Sequence, residues 1–220
     1  MENFRTILFS WTPQLLRGAR VTIALTVSAV GAGLILSLFL ALGKMSKNTV
    51  INKICSAYVF FFRGTPLLMQ LYFVYYALPM IVPALTINSR FLAAFIAFSL
   101  NSGAYCAEII RAAIQSIDKG QFEASRALGL SYAQTMRLVV IPQSIRRLIP
   151  PVGNEFIMML KDASLVSMIA LVDITKATRN IEGSTRSALV YIPAMILYLI
   201  ITAVFSFVFR KAEKKYSVYE

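Results

Sequence analysis

Residues 117–151 read I-D-K-G-Q-F-E-A-S-R-A-L-G-L-S-Y-A-Q-T-M-R-L-V-V-I-P-Q-S-I-R-R-L-I-P-P. The stretch is polar, basic and helix-forming, and long apolar runs flank it on both sides. With 58% hydrophobic residues, 15% charged residues and a mean hydropathy of +0.69, the chain is too apolar for a water-soluble domain of 220 residues. A chain of this kind has little polar sequence to spare, so a polar segment of this length needs a reason. Local signals divide it into two short helices. Asp118 is placed to cap the first, with Gln121 three residues on, and Gly129 to end it. Ser131 and Gln134 form a capping-box pattern that opens the second, which Pro142 is expected to end or kink. Small residues at 124, 125 and 127 leave one surface flat for another protein. Glu123 offers a carboxylate to a partner's backbone or to Arg126, one turn away. A simple amphipathic hairpin, with its basic residues on lipid headgroups, fits the periodicity as well.

Outward from this segment, a transmembrane helix needs about 20 apolar residues. The sequence predicts five: about 20–43, 64–82, 91–110, 152–171 and 188–209. Pro150 and Pro151 are expected to open the fourth, which suits proline in a first helical turn. Five spans put the termini on opposite sides. Placing the C-terminus inside gives fourteen Lys and Arg on inner segments against seven on outer ones, which favours N-out, C-in and a cytoplasmic 117–151 loop. Adding residues 50–62 to the second span would bury Arg63 in the bilayer at a cost of about 2.5–3.5 kcal/mol, so they read as an interfacial helix on the inner face. Residues 1–19, with Phe4, Ile7, Leu8, Trp11 and Leu15 at helical spacing, read as an N-terminal interfacial segment, and 20–220 as the transmembrane domain. That N-terminus lacks the basic start and small-residue cleavage site of a signal peptide. The basic run 210–215 reads as a stop-transfer anchor.

Several functions are disfavoured. The +12 net charge reflects the loops of a membrane chain rather than nucleic-acid binding, for which no soluble domain exists. Cys55 and Cys106 sit in separate segments with no partner motif, and the chain has no His, so neither a metal site nor histidine general-base chemistry is indicated. No P-loop pattern occurs.

The spacing of Glu123-Ala124-Ser125, Gly129 and Val139-Val140-Ile141-Pro142 resembles the E-A-A---G---------I-x-L-P signature of permease subunits of ATP-binding-cassette importers. Ser125, Val139 and Ile141 depart from it conservatively. The runs 16–23, 62–71, 104–114 and 154–165 look like the polar-amino-acid branch of the same family. The resemblance implies an all-α integral membrane protein with a five-helix core of the type I importer permease kind, in the bacterial inner membrane. It implies a second permease subunit (a copy or a close relative), two ATPases docked on the cytoplasmic coupling loop, and an extracytoplasmic solute-binding protein. ATP and magnesium would sit in the partner ATPase, with no cofactor in this chain and no catalysis by it. Glu123, Ala124, Ser125, Gly129 and Pro142 are then the coupling residues.

Ionisable residues within spans are functional candidates. Glu155 and Asp162 are seven residues apart and share a helix face, with Lys161 beside them. They read either as a self-neutralising structural cluster or as part of a solute path with Asn101, Ser102 and Gln70. The family usually carries Asn where this chain has Asp162, and the added negative charge leans the expected amino acid toward arginine, lysine or histidine. Glu108 and Arg111 are expected to form a local i,i+3 pair, and Arg63, before Gly64-Thr65-Pro66, a structural or gating group. An ATP-independent transporter or channel is the alternative, though it has no evident need for the loop; a membrane-embedded enzyme lacks any catalytic constellation.

Overall fold

A computed structural model describes residues 4–216, with side chains from residue 10 onward, so Phe4, Ile7 and Leu8 of the N-terminal stripe lie outside the described side chains. The described residues contain helices and turns and no strand. In chain order the helices are α1 (Phe4–Lys44), α2 (Thr49–Gly64), α3 (Leu67–Tyr72), α4 (Leu78–Ile81), α5 (Arg90–Gln115), α6 (Lys119–Ala127), α7 (Tyr132–Thr135), α8 (Ile141–Asp162), α9 (Ile174–Thr185) and α10 (Tyr191–Tyr216). Three stretches are long and apolar enough to cross a membrane: Ser10–Lys44, Arg90–Gln115 and Ala188–Tyr216. The pair Thr49–Gly64 and Leu67–Ile81, bent by 104° at the Gly64–Pro66 break, is long and apolar enough only when its two helices are taken together, as a broken span or a re-entrant loop.

Several expected boundaries move. No break separates residues 4–19 from the first span, because α1 is one helix from Phe4 to Lys44. Trp11 and Leu15 are buried in a cluster with Ile174, Ala177, Ile181, Val190 and Ala194. Pro150 and Pro151 lie inside α8 rather than at its start, and α8 begins at Ile141. The fourth span is also shorter as an α-helix than expected. It tightens to a 3₁₀ helix over Ala163–Ile169 and stops at Ala170, whose φ of 57° turns the chain. With Arg146, Arg147, Glu155, Lys161 and Asp162, α8 is too polar to qualify as a span by composition. It is held by packing instead, with the Phe156 ring 4.6 Å from Phe205 and 5.4 Å from Phe209 of α10.

Pro142 does not end the helical run. The backbone widens into a π-turn over Met136–Val140, with Ile141 N–H donating to Met136 C=O, and α8 continues beyond it. The π-turn Phe73–Ala77 precedes Pro79 in the same way, with Leu78 N–H donating to Phe73 C=O. A proline ring collides with the carbonyl four residues back. Shifting to i→i−5 bonds just before it opens that turn.

The core forms three groups along the molecule. One, nearest α9, centres on Trp11, Ile174, Ile181 and Val190. A middle group includes Leu25, Leu71, Phe98, Phe156 and Met159. The third, nearest α6, includes Leu40, Val59, Ala104 and Ile110.

Candidate coupling loop and charged cleft

The segment between α5 and α8 is built as its sequence suggests. Asp118 Oδ1 accepts from Gly120 N–H at 2.7 Å and caps α6. Gly129 takes φ 77°, a left-handed value that costs glycine little, and Leu130 N–H closes back on Ser125 C=O at 3.0 Å. Ser131 and Gln134 make both capping-box bonds, at 3.3 and 2.8 Å. Two further ties fix the loop to the body: Gln143 Nε2 donates to Gln121 Oε1 at 3.1 Å, and the Arg147 guanidinium donates to Ser116 C=O.

The loop surface differs in detail from the flat patch expected. Ala124 and Ala127 are exposed, but Ser125 is buried, its hydroxyl donating to Gln121 C=O at 2.7 Å. Glu123 is exposed, and among the described residues no ion pair joins it to Arg126. Sequence reasoning missed Leu128 and Tyr132, 81% and 72% exposed on either side of Gly129. The available signal was a pair of large apolar residues in an otherwise polar loop. Apolar side chains held out by a capped turn are typical anchors for a protein partner.

The intramembrane candidates separate into two sets. Gln70, Asn101 and Ser102 are each engaged within the protein, and Gln70 also lines an apolar cavity of about 340 Å³. Gln70 Nε2 donates to the carbonyls of Phe62 (2.9 Å) and Thr65 (3.1 Å) and to Thr65 Oγ1 (2.7 Å). Asn101 Nδ2 donates to Phe62 C=O at 3.1 Å and to Gln70 Oε1 at 3.0 Å. Both amides are buried and serve the carbonyls freed where α2 breaks. Ser102 is fully buried at the crossing of α5 with α1, so close to Gly33 that a Cβ there would lie 2.9 Å from Ser102 Cβ.

The charged residues gather around an open cleft between the end of α2, α5 and α8. One half, about 450 Å³, is lined by Arg63, Tyr105, Glu108, Ala112, Arg147 and Pro151. An adjoining half of about 530 Å³ adds Lys44, Val59 and Phe60. Glu108 is fully engaged: it pairs with Lys44, and Arg111 reaches its Oε2 at 2.7 and 3.0 Å, so the expected pair forms with an additional partner. Arg63 stacks instead on the Tyr105 ring, with its guanidinium carbon 5.3 Å from the centroid. Glu155 lies two turns beyond Arg147 on α8 and is 8% exposed. Among the described residues its carboxylate has no hydrogen bond, and Arg63, Asp162 and Cys106 lie within its electrostatic range. Lys161 and Asp162 are exposed on the single chain near a separate recess of about 400 Å³ lined by Lys161, Ser164, Tyr198 and Thr202.

Known proteins share this architecture. Residues 33–218 match the family model described as binding-protein-dependent transport system inner membrane component. The chain is 36% identical over 217 residues to the glutamine transport system permease protein GlnP of Escherichia coli (strain K12), covering 96% of this chain and 99% of that one. It is 39% identical over 212 residues to the L-cystine transport system permease protein TcyB of Bacillus subtilis (strain 168), covering 96% and 89%. A crystal structure of an amino acid ABC transporter with histidines superposes with a TM-score of 0.90 at 39% identity, covering 98% of this chain and 99% of that one. An inward-facing MetNI methionine ABC transporter matches at TM-score 0.77 and 19% identity over 93% and 97%, a likeness of fold. The chain thus belongs to the family of inner membrane components of binding-protein-dependent transport systems, as a multi-pass permease subunit.

Proposed function

We propose that this chain is the permease of an ATP-driven importer of amino acids, alternating between outward and inward access while a separate ATPase drives it through the 117–151 loop. Its solute is a polar amino acid, with a preference for cationic ones. Two permease subunits, identical or closely related, would pair with two ATPases that carry ATP and magnesium. A solute-binding protein would deliver from outside, onto an N-out, C-in chain. Relatives whose names record glutamine and cystine transport support the amino-acid class. For the loop, the support is a rigidly capped pair of short helices, tied to α8 by Gln143 and to the end of α5 by Arg147, with Leu128 and Tyr132 projecting from its tip.

The observation that carries the substrate reading is Glu155. A nine-tenths buried carboxylate without a hydrogen bond is costly unless a ligand completes it. With Asp162 on the same face, it offers acceptors to an ammonium or guanidinium group. The test is arginine against glutamine uptake by the reconstituted permease–ATPase complex, in Glu155→Gln and Asp162→Asn variants. Preference should shift toward glutamine; an unchanged preference in both variants would sink the cationic reading. Coupling is tested separately with Gly129→Val. No atom lies within 4 Å of an added Cβ at Gly129, so the chain itself has room. A branched residue at φ 77° is strained, however, and stands where a partner would approach. ATP hydrolysis should continue while uptake falls; normal uptake would remove the loop from the mechanism.

A further inference from the structure

The cleft has one guanidinium left over from its ion pairing, and a buried carboxylate lies one turn beyond its Pro151 edge. Glu108 is saturated by Lys44 and Arg111, and Arg147 is tied to Ser116 C=O. Arg63 lines both halves of the cleft and, among the described residues, touches no carboxylate; its contact is the face of Tyr105. Glu155 lies on the α8 face that runs from Arg147 through Pro151, one turn past the cleft's edge, buried and without a hydrogen bond among the described residues. Tyr105 is the chain neighbour of Cys106, which feels the Glu155 charge, so the stacked guanidinium and the free carboxylate approach from adjoining sides.

Arg63 is also well mounted. It is the penultimate residue of α2, just before the 104° bend, and the carbonyl of its neighbour Phe62 is held by both Gln70 and Asn101. Its backbone is therefore pinned, while its side chain has open cleft on either side. A stacked arginine with several rotatable bonds can exchange an aromatic face for a carboxylate at modest cost.

We propose that Arg63 and Glu155 form a latch: the guanidinium swings from Tyr105 to Glu155 in the access state without solute, closing the cleft, and a cationic solute group at Glu155 sends it back. This rests on the reading of Glu155 as a solute ligand, and it makes Arg63 an internal competitor for the solute's own cation. Closing the latch gives the buried Glu155 carboxylate a cationic partner that it lacks in this state.

The test uses the reconstituted permease–ATPase complex and ATP hydrolysis without solute. Arg63→Gln and Glu155→Gln should each raise that hydrolysis by about fivefold or more, the low end of typical coupling between sites. The double variant should add nothing further, and the charge exchange of Arg63→Glu with Glu155→Arg should restore the low rate. Multiplied effects in the double variant, or no effect of either single change, would overturn the latch. As a second readout, Arg63→Cys with Glu155→Cys, in a chain with Cys55 and Cys106 changed to serine, should cross-link in one of the nucleotide-free and vanadate-trapped states. Cross-linking in neither state counts against it. Arginine preference in Glu155→Gln separates the two ideas. An unchanged preference with a non-additive cycle removes the solute role and keeps the pair. A shifted preference with multiplied effects removes the pair alone.

Discussion

Gly18 is the point at which α1 meets the backbone leading into α9. A Cβ there would fall 2.6 Å from Asp173 O and 2.8 Å from Ile174 N, both main-chain atoms with no rotamer to yield. Alanine gains up to about 1 kcal/mol in helix propensity. Overpacking costs about 1–3 kcal/mol, and more when backbone must move, so the clash wins. Gly18→Ala should lower the thermal midpoint of the purified protein. Gly31→Ala, with nothing within 4 Å of its added Cβ, should leave the midpoint equal or slightly raised. The same joint holds Asp173, a fully buried carboxylate that caps α9 through Thr175 N–H at 2.9 Å and Lys176 N–H at 2.8 Å. Burial pushes this carboxyl above its ordinary value, and the N–H donors oppose that only in part. A raised folded pKa contributes stability below the unfolded value of about 3.9, and the contribution is lost as pH rises through the folded value. The substitution Asp173→Asn keeps an acceptor for the cap without a charge to desolvate. The midpoint of that variant relative to the parent should therefore rise as pH increases from about 4 toward neutrality. A difference that stays flat, or that shrinks as pH rises, would contradict this sign.

The bend between α2 and α3 shows a structural role that the sequence does not announce. Gln70 and Asn101 look like solute ligands in an apolar sequence, yet their amides are occupied by Phe62 C=O, Thr65 C=O and each other. Their partners lie up to 39 residues away, and no local pattern announces them. Removing either side chain frees buried carbonyls, at about 1–3 kcal/mol each. Gln70→Leu and Asn101→Leu should each lower the thermal midpoint, and together by less than the two losses combined, because the bond between Asn101 and Gln70 is lost in either single change. Full additivity would mean that the two amides act independently. The loop is the reverse case. Its caps are governed by residues within four positions of one another, so Asp118, Gly129, Ser131 and Gln134 are legible as written. Proline is the main local misreading. Pro142 suggests an end and Pro150–Pro151 a start, but a π-turn and the packing of α8 against α10 carry the helix through all three. The α9 helix is also absent from the sequence reading, although Asp173 followed by Ile174, Ala177 and Ile181 is a capped helical stripe. Without it the burial of Trp11 and Leu15 has no visible partner.

The whole molecule places its polar ends far apart. α8 has the 118–142 loop at one end and, past the 3₁₀ turn, α9 at the other. Between them the outer faces of α1 and α10 are apolar and exposed: Ile35, Leu38 and Phe39 on one, Met195, Leu199, Val204 and Phe207 on the other. Such area is stable only in lipid or against another subunit. The proposed N-out, C-in topology puts the two ends on opposite sides of a bilayer, with the Lys- and Arg-rich loop side in the cytoplasm. Gly129 on the loop and Gly183 on α9 are suited to test this. Both are exposed, and neither has an atom within 4 Å of a new Cβ. In a chain with Cys55 and Cys106 replaced by serine, Gly183→Cys should react with a membrane-impermeant maleimide in right-side-out vesicles. Gly129→Cys should react in inverted vesicles and stay protected in right-side-out ones. Labelling of both from one side would break the count of spans between them, and exchanged labelling would reverse the orientation. Protection of Gly129→Cys in inverted vesicles when the ATPase is bound, with reactivity regained when it is stripped away, would place the partner on the loop tip beside Leu128 and Tyr132.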